Sequence, residues 1–431
     1  MKEQIFPAAT VSGAVALPGD KSISHRYGML TAIAEGTSEI HNYSQGADCQ
    51  STLNCMEAMG VAIERSAEVT LVHGVGLDGL KAPSGLLDAG NSGSTIRMLS
   101  GILAAQEFSS EIAGDDSLAR RPMARIMKPL AEMGASITAR DGQFPPLRIE
   151  GRPLKAIDYS LPVSSAQVKS CVLFAGIYAD GPTIVREPIR TRDHSELALS
   201  ELGAEIETRQ RVITLQGRPK LVGRELTVPG DLSAAAFFLV AALLVPDSHL
   251  TIRGVGLNPT RSKLLDFLAI IGAPVQVPDL QQVSGELIGD IVVKHSRVRG
   301  GILEGDMTAA LIDEIPVLAV LGAVSEEGLT IRDASELRIK ETDRIATIAE
   351  NFKRMGVEIE VKEDGFYVPG RQHFHAAELD SFGDHRIAMA FSVAALAADG
   401  PCMMNDAAAA SVSFPGFYST LRRVTDKEQQ S

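Results

Sequence analysis

The sequence lacks an excess of positive charge. Its 41 lysine and arginine residues stand against 54 aspartate and glutamate residues, which gives a formal net charge of -13. Nucleic-acid phosphates select basic surfaces, so this charge argues against a nucleic-acid partner. A small anionic ligand remains compatible with the composition, because a few clustered arginines create a positive pocket inside an acidic protein.

Long apolar runs and patterned cysteines are also missing. The longest apolar run extends from Ala234 to Val245, stops at Pro246 and is too short for a bilayer span. The first residues, MKEQIFPAAT, contain no apolar core of signal-peptide length. The cysteines show neither metal-site nor disulfide spacing: Cys49, Cys55, Cys171 and Cys402. We therefore expect a cytoplasmic protein with reduced, mostly buried thiols and no membrane partner.

Two kinds of cofactor motif are absent as well. No cluster of histidine and cysteine residues predicts a metal site, and no P-loop motif predicts a nucleotide site. The chemistry that fits is anion binding combined with acid–base catalysis.

An internal repeat of about 70 residues organises the 431-residue chain, which is long enough for two or three domains. Each copy holds an alanine-rich helical stretch, a turn and a β-like run, and the copies start at Ser22, Gly93, Ser165, Leu232, Asp313 and Asp384. A second, amphipathic helix recurs at the same period and ends at a glycine, the usual left-handed C-cap: Gly60, Gly134, Gly203, Gly272 and Gly356. We therefore predict six units, the last of them closed by the strand before Pro18.

Pro-Gly-Asp turns occur at Pro18–Asp20 and at Pro229–Asp231, where the first and the second set of three units begin. We interpret them as paired crossovers that form a hinge. They would join a domain of residues 19–229 to a discontinuous domain of residues 1–18 and 230–431, and the unliganded protein would be open. The alternative, two ordinary turns inside one domain, stays open.

Unusual polar residues gather where the alanine-rich helices begin. A helix N-terminus has unpaired amides and the positive end of the helix dipole, so it favours anions. The first copy adds Lys21, Ser22 and Arg26, although one serine alone would be an ordinary N-cap. The second and third copies add further donors and cations: Asn91, Gly93, Arg97, Arg120, Arg121, Ser165, Gln167 and Arg192.

The second half of the chain supplies carboxylates together with cations. They are Asp313 and Glu314 before the fifth helix, Lys340, Glu341 and Arg344 in the stretch RIKETDRI, and Asp384 and Arg386 at the sixth helix. An acid at a helix start is most often a cap, and a charge run on a surface helix is most often a set of solvated ion pairs. Taken together, the residues of both halves favour two anionic groups held in a cleft between the domains, with carboxylates beside them for proton transfer.

Motifs in family order along nearly the whole chain resemble the 5-enolpyruvylshikimate-3-phosphate synthase family of enolpyruvyl transferases. The matching stretches are PGDKSISHR, GNSGSTIR, RRPM, SSAQVKS, TRDHSE, IDEIP, RIKETDRI and DHRIAMA. The resemblance implies an α/β fold of the enolpyruvyl transferase type: a two-domain inside-out α/β barrel with six βαβαββ repeats, three in each domain. It also implies transfer of the enolpyruvyl group of phosphoenolpyruvate to the 5-hydroxyl of shikimate 3-phosphate, through a tetrahedral adduct, by a monomer without cofactors.

The resemblance also implies roles for individual residues. Shikimate 3-phosphate would contact Lys21, Ser22, Arg26, Ser165, Gln167, Arg192, Asp313 and Lys340. Phosphoenolpyruvate would contact Lys21, Asn91, Gly93, Arg121, Gln167, Arg344 and Arg386. The catalytic groups would be Asp313 near the attacking hydroxyl and Glu341 near the methylene carbon, with Lys21 and Lys340 beside them.

The chain departs from the family pattern in two places. Many members carry a lysine shortly before the C-terminal Phe-Pro, where this chain has Ala410, Ser411 and Val412. Ser94 and Met98 also differ from the residues that other members often show. The small Gly93 is retained, which predicts ordinary sensitivity to glyphosate, a competitor of phosphoenolpyruvate.

Three other functions compete with this interpretation. The related transferase acting on UDP-N-acetylglucosamine lacks DKSISHR and KETDR and usually has a reactive loop cysteine, whereas no cysteine here lies in the loop that contains Arg121. A non-catalytic phosphometabolite-binding relative would need neither Asp313 nor Glu341. An RNA-terminal phosphate cyclase is disfavoured by the acidic charge.

Overall fold

The computed structural model describes residues 1–425. The chain divides into two compact units: unit 1 contains residues 1–18, 230–281 and the chain from Leu287 onward, and unit 2 contains residues 19–229 and 282–286. The divisions after Pro18 and Pro229 fall inside the two Pro-Gly pairs. The short segment 282–286 belongs to unit 2, although the repeat pattern assigned it to the second half of the chain.

Unit 2 contains three four-stranded sheets with one connectivity, in which a parallel pair is followed by two antiparallel strands. The first sheet, in the order β14-β3-β5-β4, comprises β3 (Glu35–His41), β4 (Ala62–Arg65), β5 (Val69–Val75) and β14 (Glu225–Thr227). The second, β6-β7-β9-β8, comprises β6 (Leu87–Asp88), β7 (Ser109–Ala113), β8 (Ser136–Arg140) and β9 (Phe144–Glu150). The third, β10-β11-β13-β12, comprises β10 (Asp158–Ser160), β11 (Pro182–Arg186), β12 (Ile206–Arg209) and β13 (Val212–Gln216).

Unit 1 also has three sheets that each contain a parallel pair extended by antiparallel pairing, but they have five, four and three strands. Its first sheet, β16-β18-β15-β2 with β17 paired to β18, comprises β2 (Ser12–Ala16), β15 (His249–Gly256), β16 (Val275–Gln276), β17 (Leu280–Val283) and β18 (Glu286–Lys294). The second, β19-β20-β22-β21, comprises β19 (Gly301–Leu303), β20 (Leu329–Ile331), β21 (Glu360–Lys362) and β22 (Gly365–Val368). The third, β1-β24-β23, comprises β1 (Glu3–Ile5), β23 (Glu378–Asp380) and β24 (Cys402–Asn405). The predicted closure of the last repeat by the N-terminal strand is confirmed for β1, which pairs with β24, whereas β2, the strand next to Pro18, pairs with β15 of the fourth repeat.

The helices follow the predicted alternation of buried and amphipathic segments. The buried helices are α1 (Lys21–Ala32), α3 (Gly93–Leu103) and α5 (Ala166–Gly176) in unit 2, and α7 (Leu232–Leu244), α10 (Ile315–Val324) and α12 (His385–Ala395) in unit 1. The others are α2 (Ala47–Ala58), α4 (Ala124–Glu132), α6 (His194–Glu201), α8 (Lys263–Ile270), α9 (Gly305–Ala310), α11 (Arg344–Arg354) and α13 (Phe417–Thr425). Short 3-10 helices cover Leu118–Arg120, Ser335–Ile339 and Ala407–Val412.

The glycines after the second helix of each repeat have the predicted left-handed conformation. Their φ angles are 90°, 101°, 100°, 85° and 73° at Gly60, Gly134, Gly203, Gly272 and Gly356. Residues with a Cβ pay a steric cost in this region, so glycine permits the sharp change from helix to strand. Each unit has its own core, formed by the buried faces of its helices and sheets.

The four cysteines are buried, as predicted, and none forms a disulfide. Burial raises the pKa of Cys55 to about 12 and also raises the pKa values of the other three thiols. None of the helices described between residues 1 and 425 has the length and apolarity that a bilayer crossing requires.

Candidate active site

The start of α1 in unit 2 concentrates the donors of the first motif. The side chain of Asp20 caps the helix by accepting from the amide of Ile23, at 2.9 Å. Lys21 Nζ lies 3.0 Å from Asp48 Oδ2. Both Lys21 and Ser22 are half-buried, so their polar groups remain within reach of a ligand at this helix start.

Arg26 is only 3% exposed, and neutral groups hold its guanidinium. It donates to Ser195 Oγ at 2.7 Å, to Ser170 Oγ at 2.8 Å and to the Ser22 carbonyl at 2.8 Å. Burial lowers the pKa of Arg26 to about 10; the charge of Glu196 opposes this shift and that of Arg192 adds to it. The charges of Arg192 and Arg26 therefore disfavour each other, an effect that a bound anion would offset.

The loop before α3 joins the donors of the second and third motifs. Arg121 donates to Asn91 Oδ1 at 2.9 Å, and Arg97 donates to Gln167 Oε1 at 3.0 Å. A Cβ on Gly93 would lie 2.6 Å from Arg97 Nη1, so a larger residue at this position would displace the end of the Arg97 side chain. Sequence reasoning had noted Arg97 but gave it no role.

Ser165 and Gln167 lie at the start of α5. The Ser165 hydroxyl accepts from the Val168 amide at 3.4 Å, which is the ordinary N-cap role for a serine. Gln167 Nε2 also donates to Ser94 Oγ at 3.0 Å, so the α5 start is tied to the loop at the start of α3.

A buried chain of hydroxyl groups runs behind these motifs. His25 Nδ1 lies 2.6 Å from Thr52 Oγ1, which lies 2.7 Å from Thr95 Oγ1, and Thr95 in turn donates to Ser92 Oγ at 2.8 Å. Burial lowers the pKa of His25 to about 3, so the imidazole is neutral. The chain links α1, α2 and the N-cap of α3, three elements whose contact no sequence motif predicted.

In unit 1, Arg344 is the centre of a carboxylate cluster. It is 1% exposed, and its guanidinium lies 2.8 Å from Asp384, 2.7 Å from Glu341 and 3.6 Å from Asp313. Burial alone would lower the pKa of Arg344, but these carboxylates raise it above its usual value. Burial is the largest influence on Asp384 and would raise its pKa, but the charge and hydrogen bond of Arg344, together with the charge of His385, lower the pKa overall.

The candidate acid–base groups adjoin this arginine. Lys340 Nζ lies 3.5 Å from Asp313 Oδ1, and both side chains are about a quarter exposed. Unit 1 thus brings Asp313, Lys340 and Glu341 into one cluster around Arg344. The solvated surface helix that charge alone favoured is wrong for RIKETDRI, since Arg344 is buried at the first turn of α11.

Arg386 is buried at the start of α12, 3.8 Å from Glu314 Oε1. Glu314 is fully buried and accepts from Arg261 Nη2 at 2.9 Å and from the Ser233 hydroxyl. Glu314 is the N-cap residue of α10, the position expected for an acid at a helix start, but its carboxylate makes no capping hydrogen bond. Sequence reasoning missed Arg261, which lies in the loop just before α8.

The segment Ala410 to Val412, where the sequence analysis noted a departure from the expected pattern, lies in the 3-10 helix Ala407–Val412. Ala410 is buried and Val412 is half-buried. No cluster of three or more histidine, cysteine, aspartate or glutamate residues that could hold a metal ion occurs within residues 1–425.

Comparisons with known proteins agree with one another. A family model described as EPSP synthase (3-phosphoshikimate 1-carboxyvinyltransferase) matches residues 5–421. A protein of Solibacter usitatus named 3-phosphoshikimate 1-carboxyvinyltransferase is 64% identical over 99% of this chain and 100% of its own length. A protein of the same name from Koribacter versatilis is 52% identical over 98% of this chain and 99% of its own.

Solved structures give the same result. The structure of an EPSP synthase from Acinetobacter baumannii matches with a TM-score of 0.89 and 41% identity over 98% of each chain. The enolpyruvyl transferase NikO from Streptomyces tendae matches with a TM-score of 0.78 over 98% of this chain and 96% of its own. At 18% identity, the likeness to NikO shows the fold alone.

Proposed function

Because the chain belongs to the EPSP synthase family, we propose that the polar residues around Arg26 in unit 2 and around Arg344 in unit 1 bind the substrates and transfer the protons of that family's reaction. The chain transfers the enolpyruvyl group of phosphoenolpyruvate to the 5-hydroxyl of shikimate 3-phosphate in the shikimate pathway. The observation that carries this function is 64% identity to a named 3-phosphoshikimate 1-carboxyvinyltransferase over the full length of that relative.

The reaction has two steps whose atoms fix the required groups. In the first, the hydroxyl oxygen bonds to the central carbon of phosphoenolpyruvate and loses its proton, while the methylene carbon gains one and becomes a methyl group. In the second, the methyl group loses a proton, the carbon–oxygen bond to phosphate breaks and the double bond returns. The protein therefore needs anion-binding groups, one base near the hydroxyl and one acid–base group near the methylene carbon.

We assign four residues of unit 2 to the phosphate group of shikimate 3-phosphate: Lys21, Ser22, Arg26 and Arg192. The start of α5 would contact the rest of the molecule. The supporting observations are that Arg26 is buried and donates to two serine hydroxyls and a backbone carbonyl, and that the charge of a second cation, Arg192, lowers its pKa. A phosphate between them would relieve that repulsion and receive charge-assisted hydrogen bonds. Ser165 and Gln167 would complete this subsite, with Asp313 and Lys340 at the ring hydroxyls.

For phosphoenolpyruvate, we assign Arg121, Arg344 and Arg386, together with Lys21, Asn91, Gly93 and Gln167. A guanidinium binds both carboxylate and phosphate through two parallel hydrogen bonds, which suits a substrate carrying both groups. Gly93 allows the backbone of the α3 start to approach a ligand. This small residue supports inhibition by glyphosate, and undiminished activity at millimolar glyphosate would contradict that prediction.

For the proton transfers, we assign Asp313 to the attacking hydroxyl and Glu341 to the methylene carbon. Both are partly exposed carboxylates within 3.6 Å of the same arginine, so they are accessible beside a buried cation. Lys340, 3.5 Å from Asp313, and Lys21 would stabilise charge near the leaving phosphate. Orientation of the two substrates can contribute about 7 to 11 kcal/mol to the barrier reduction, more than one proton transfer at about 10²- to 10⁴-fold.

The division of labour between domains follows from these assignments. The domain of residues 19–229 would bind mainly shikimate 3-phosphate, and the domain of residues 1–18 and 230–431 would supply the acid–base groups. The Pro-Gly-Asp turns would be their hinge, which predicts a change in small-angle scattering when both substrates are added. Identical profiles with and without substrates would contradict it.

The partners and the location complete the proposal. Reduced, buried cysteines support a cytoplasmic enzyme, and the acidic charge of -13 supports small anionic substrates without a nucleic-acid or membrane partner. We expect a monomer, which gel filtration with light scattering would measure. A stable dimer mass would contradict that expectation.

The deciding experiment is phosphate release from the purified protein, with each substrate omitted in turn and the product mass determined. Release that requires both substrates, with formation of the enolpyruvyl product, would establish the reaction. Binding of shikimate 3-phosphate without phosphate release would point to a defective phosphoenolpyruvate site, with Ala410 to Val412 as the first segment to examine.

A further inference from the structure

Lys169 is a lysine buried in the middle of unit 2. It lies on α5, its side chain is 0% exposed, and its ammonium group is 2.7 Å from Glu196 Oε1 and 3.2 Å from Glu187 Oε1. Taking a lysine and two carboxylates out of water is costly, and an apolar side chain of similar size is often at least as stabilising. The presence of this cluster therefore calls for a role beyond stability.

The two glutamates border the loop that carries Arg192. Glu187 follows β11 and accepts hydrogen bonds through Oε1 from the backbone amide of Thr191, at 3.2 Å, and from the Thr191 hydroxyl. Glu196 lies in the first turn of α6. Burial raises the pKa of Glu196, and the charge of Lys169 opposes that shift. Both ends of the loop 187–196 are thus attached to one ammonium group.

Ser170, the residue after Lys169 on α5, connects this helix to Arg26. Ser170 Oγ accepts from Arg26 at 2.8 Å and lies 2.7 Å from Ser195 Oγ, which also accepts from Arg26. The start of α6 is held from a further side by Glu286, 2.7 Å from His194 Nδ1. Helix α5 therefore fixes Arg26 through Ser170 and the Arg192 loop through Lys169.

We propose that Lys169 is a positioning residue for shikimate 3-phosphate: through Glu187 and Glu196 it sets the distance of Arg192 from Arg26. This inference rests on the proposed function of the two arginines. Lys169 touches no substrate in this scheme, and its effect is confined to the shikimate 3-phosphate subsite. Within residues 1–425, the ion pairs found for Lys169 are those with Glu187 and Glu196, and neither glutamate belongs to the loop at Asn91 or to the carboxylates around Arg344.

The test compares Lys169→Met with Arg186→Met, a control that removes an exposed ion pair to Asp158 on the adjoining strand. We expect Lys169→Met to raise KM for shikimate 3-phosphate by about 10- to 150-fold, the range expected when the charge-assisted hydrogen bonds of a misplaced Arg192 are lost. KM for phosphoenolpyruvate should change less than about threefold, and the control should change neither. Equal effects on both substrates, or an unchanged KM for shikimate 3-phosphate, would overturn the proposal.

A second comparison shows whether Lys169 acts through Arg192. If it does, Lys169→Met combined with Arg192→Met should bind shikimate 3-phosphate no more weakly than Arg192→Met alone. Fully additive losses would overturn this route.

The control for misfolding is a double variant, Lys169→Met combined with Glu196→Gln. In it, one of the two carboxylates that lose their cation becomes a neutral amide. We expect this variant to unfold at a higher temperature than Lys169→Met, yet to keep the raised KM. A wild-type KM in the double variant would overturn the proposal.

Calorimetric binding of shikimate 3-phosphate separates the two levels of inference. If the wild type binds and releases phosphate while Lys169→Met binds equally well, only the positioning role fails. If the wild type neither binds the ligand nor releases phosphate, the proposed function fails and the positioning role fails with it.

Discussion

The two units hold their buried arginines in opposite ways. In unit 2, Arg26 donates to two serine hydroxyls and a backbone carbonyl. In unit 1, Arg344 lies against the carboxylates of Asp384, Glu341 and Asp313. Neutral acceptors leave the charge of Arg26 available to a polyanion, whereas the carboxylates surround Arg344 with groups that can exchange protons.

The same contrast appears at the two Pro-Gly-Asp turns. Asp20 and Asp231 both cap the helix that follows, by accepting from Ile23 and Ser233 amides. Beyond the cap, α1 presents Lys21 and Arg26, whereas α7 buries Ser233 against Glu314. One backbone feature thus serves ligand binding in unit 2 and internal support in unit 1.

The largest expected effect concerns the acid–base cluster of unit 1. Asp313→Asn should lower kcat by about 10²- to 10⁴-fold, because the base at the attacking hydroxyl is lost. KM for either substrate should change much less, in steady-state phosphate-release assays. Asp306→Asn, at an exposed carboxylate on α9, is the matched control. A kcat within threefold of wild type would remove Asp313 from the base role.

The second-largest expected difference is in the free energy of unfolding after replacement of Arg344 or Arg26. Arg344→Met leaves the buried carboxylate of Asp384 without its cation and should lower the free energy of unfolding by about 3 to 5 kcal/mol. Arg26→Met leaves only neutral groups unpaired and should cost about 1 to 3 kcal/mol. Urea titration of both variants measures the difference. Equal losses would show that the contrast in partners has no energetic consequence.

Ligand binding should show a further difference in unit 2. Arg26→Met should raise KM for shikimate 3-phosphate by about 10- to 150-fold, since charge-assisted hydrogen bonds contribute about 1.5 to 3 kcal/mol. Arg218→Met, which removes an exposed pair to Asp78, serves as the control and should bind normally. If Arg26→Met binds shikimate 3-phosphate as the wild type does, the cations of unit 2 are not its ligands.

The smallest expected effect is the pH dependence of stability that the buried His25 of unit 2 causes. Its pKa is lowered to about 3 by burial, with Lys21 and Arg26 adding to the shift and Asp48 opposing it. The unfolded chain takes up a proton near pH 6.5 and the folded chain does not until about pH 3, so stability falls as the pH drops through this window. At pH 5.5 we expect a loss of about 1.4 kcal/mol relative to pH 8.

The measurement is the pH dependence of urea unfolding in the wild type and in His25→Gln. The variant lacks the titrating group, so the difference between the two curves isolates His25 from the carboxylates. Parallel curves between pH 8 and pH 5 would mean that the imidazole accepts a proton in the folded state.

The sequence was sufficient for the repeat, the closing strand and the helix starts, because alanine-rich stretches and C-cap glycines are local signals. It also drew attention to Glu341 and Arg344, which share one contiguous motif, and to Asp313, which lies in a separate motif; the structure brings the three side chains together. The sequence could not pair Arg261 with Glu314 or attach His25 to Thr52, since those contacts join distant segments whose residues carry no pattern. Lys169 was invisible as a buried charge, because a lysine on a helix is ordinarily solvated.

The burial of every cysteine makes this chain a ready background for spectroscopic labelling. Thiol reagents react with the thiolate, and burial raises the pKa values of Cys49, Cys55, Cys171 and Cys402 while hiding their sulfur atoms. A single cysteine introduced at an exposed position of each unit, such as Asp78 and Asp306, would therefore carry a fluorophore without removal of the native thiols. Distance changes during turnover could then be followed in the otherwise unaltered enzyme.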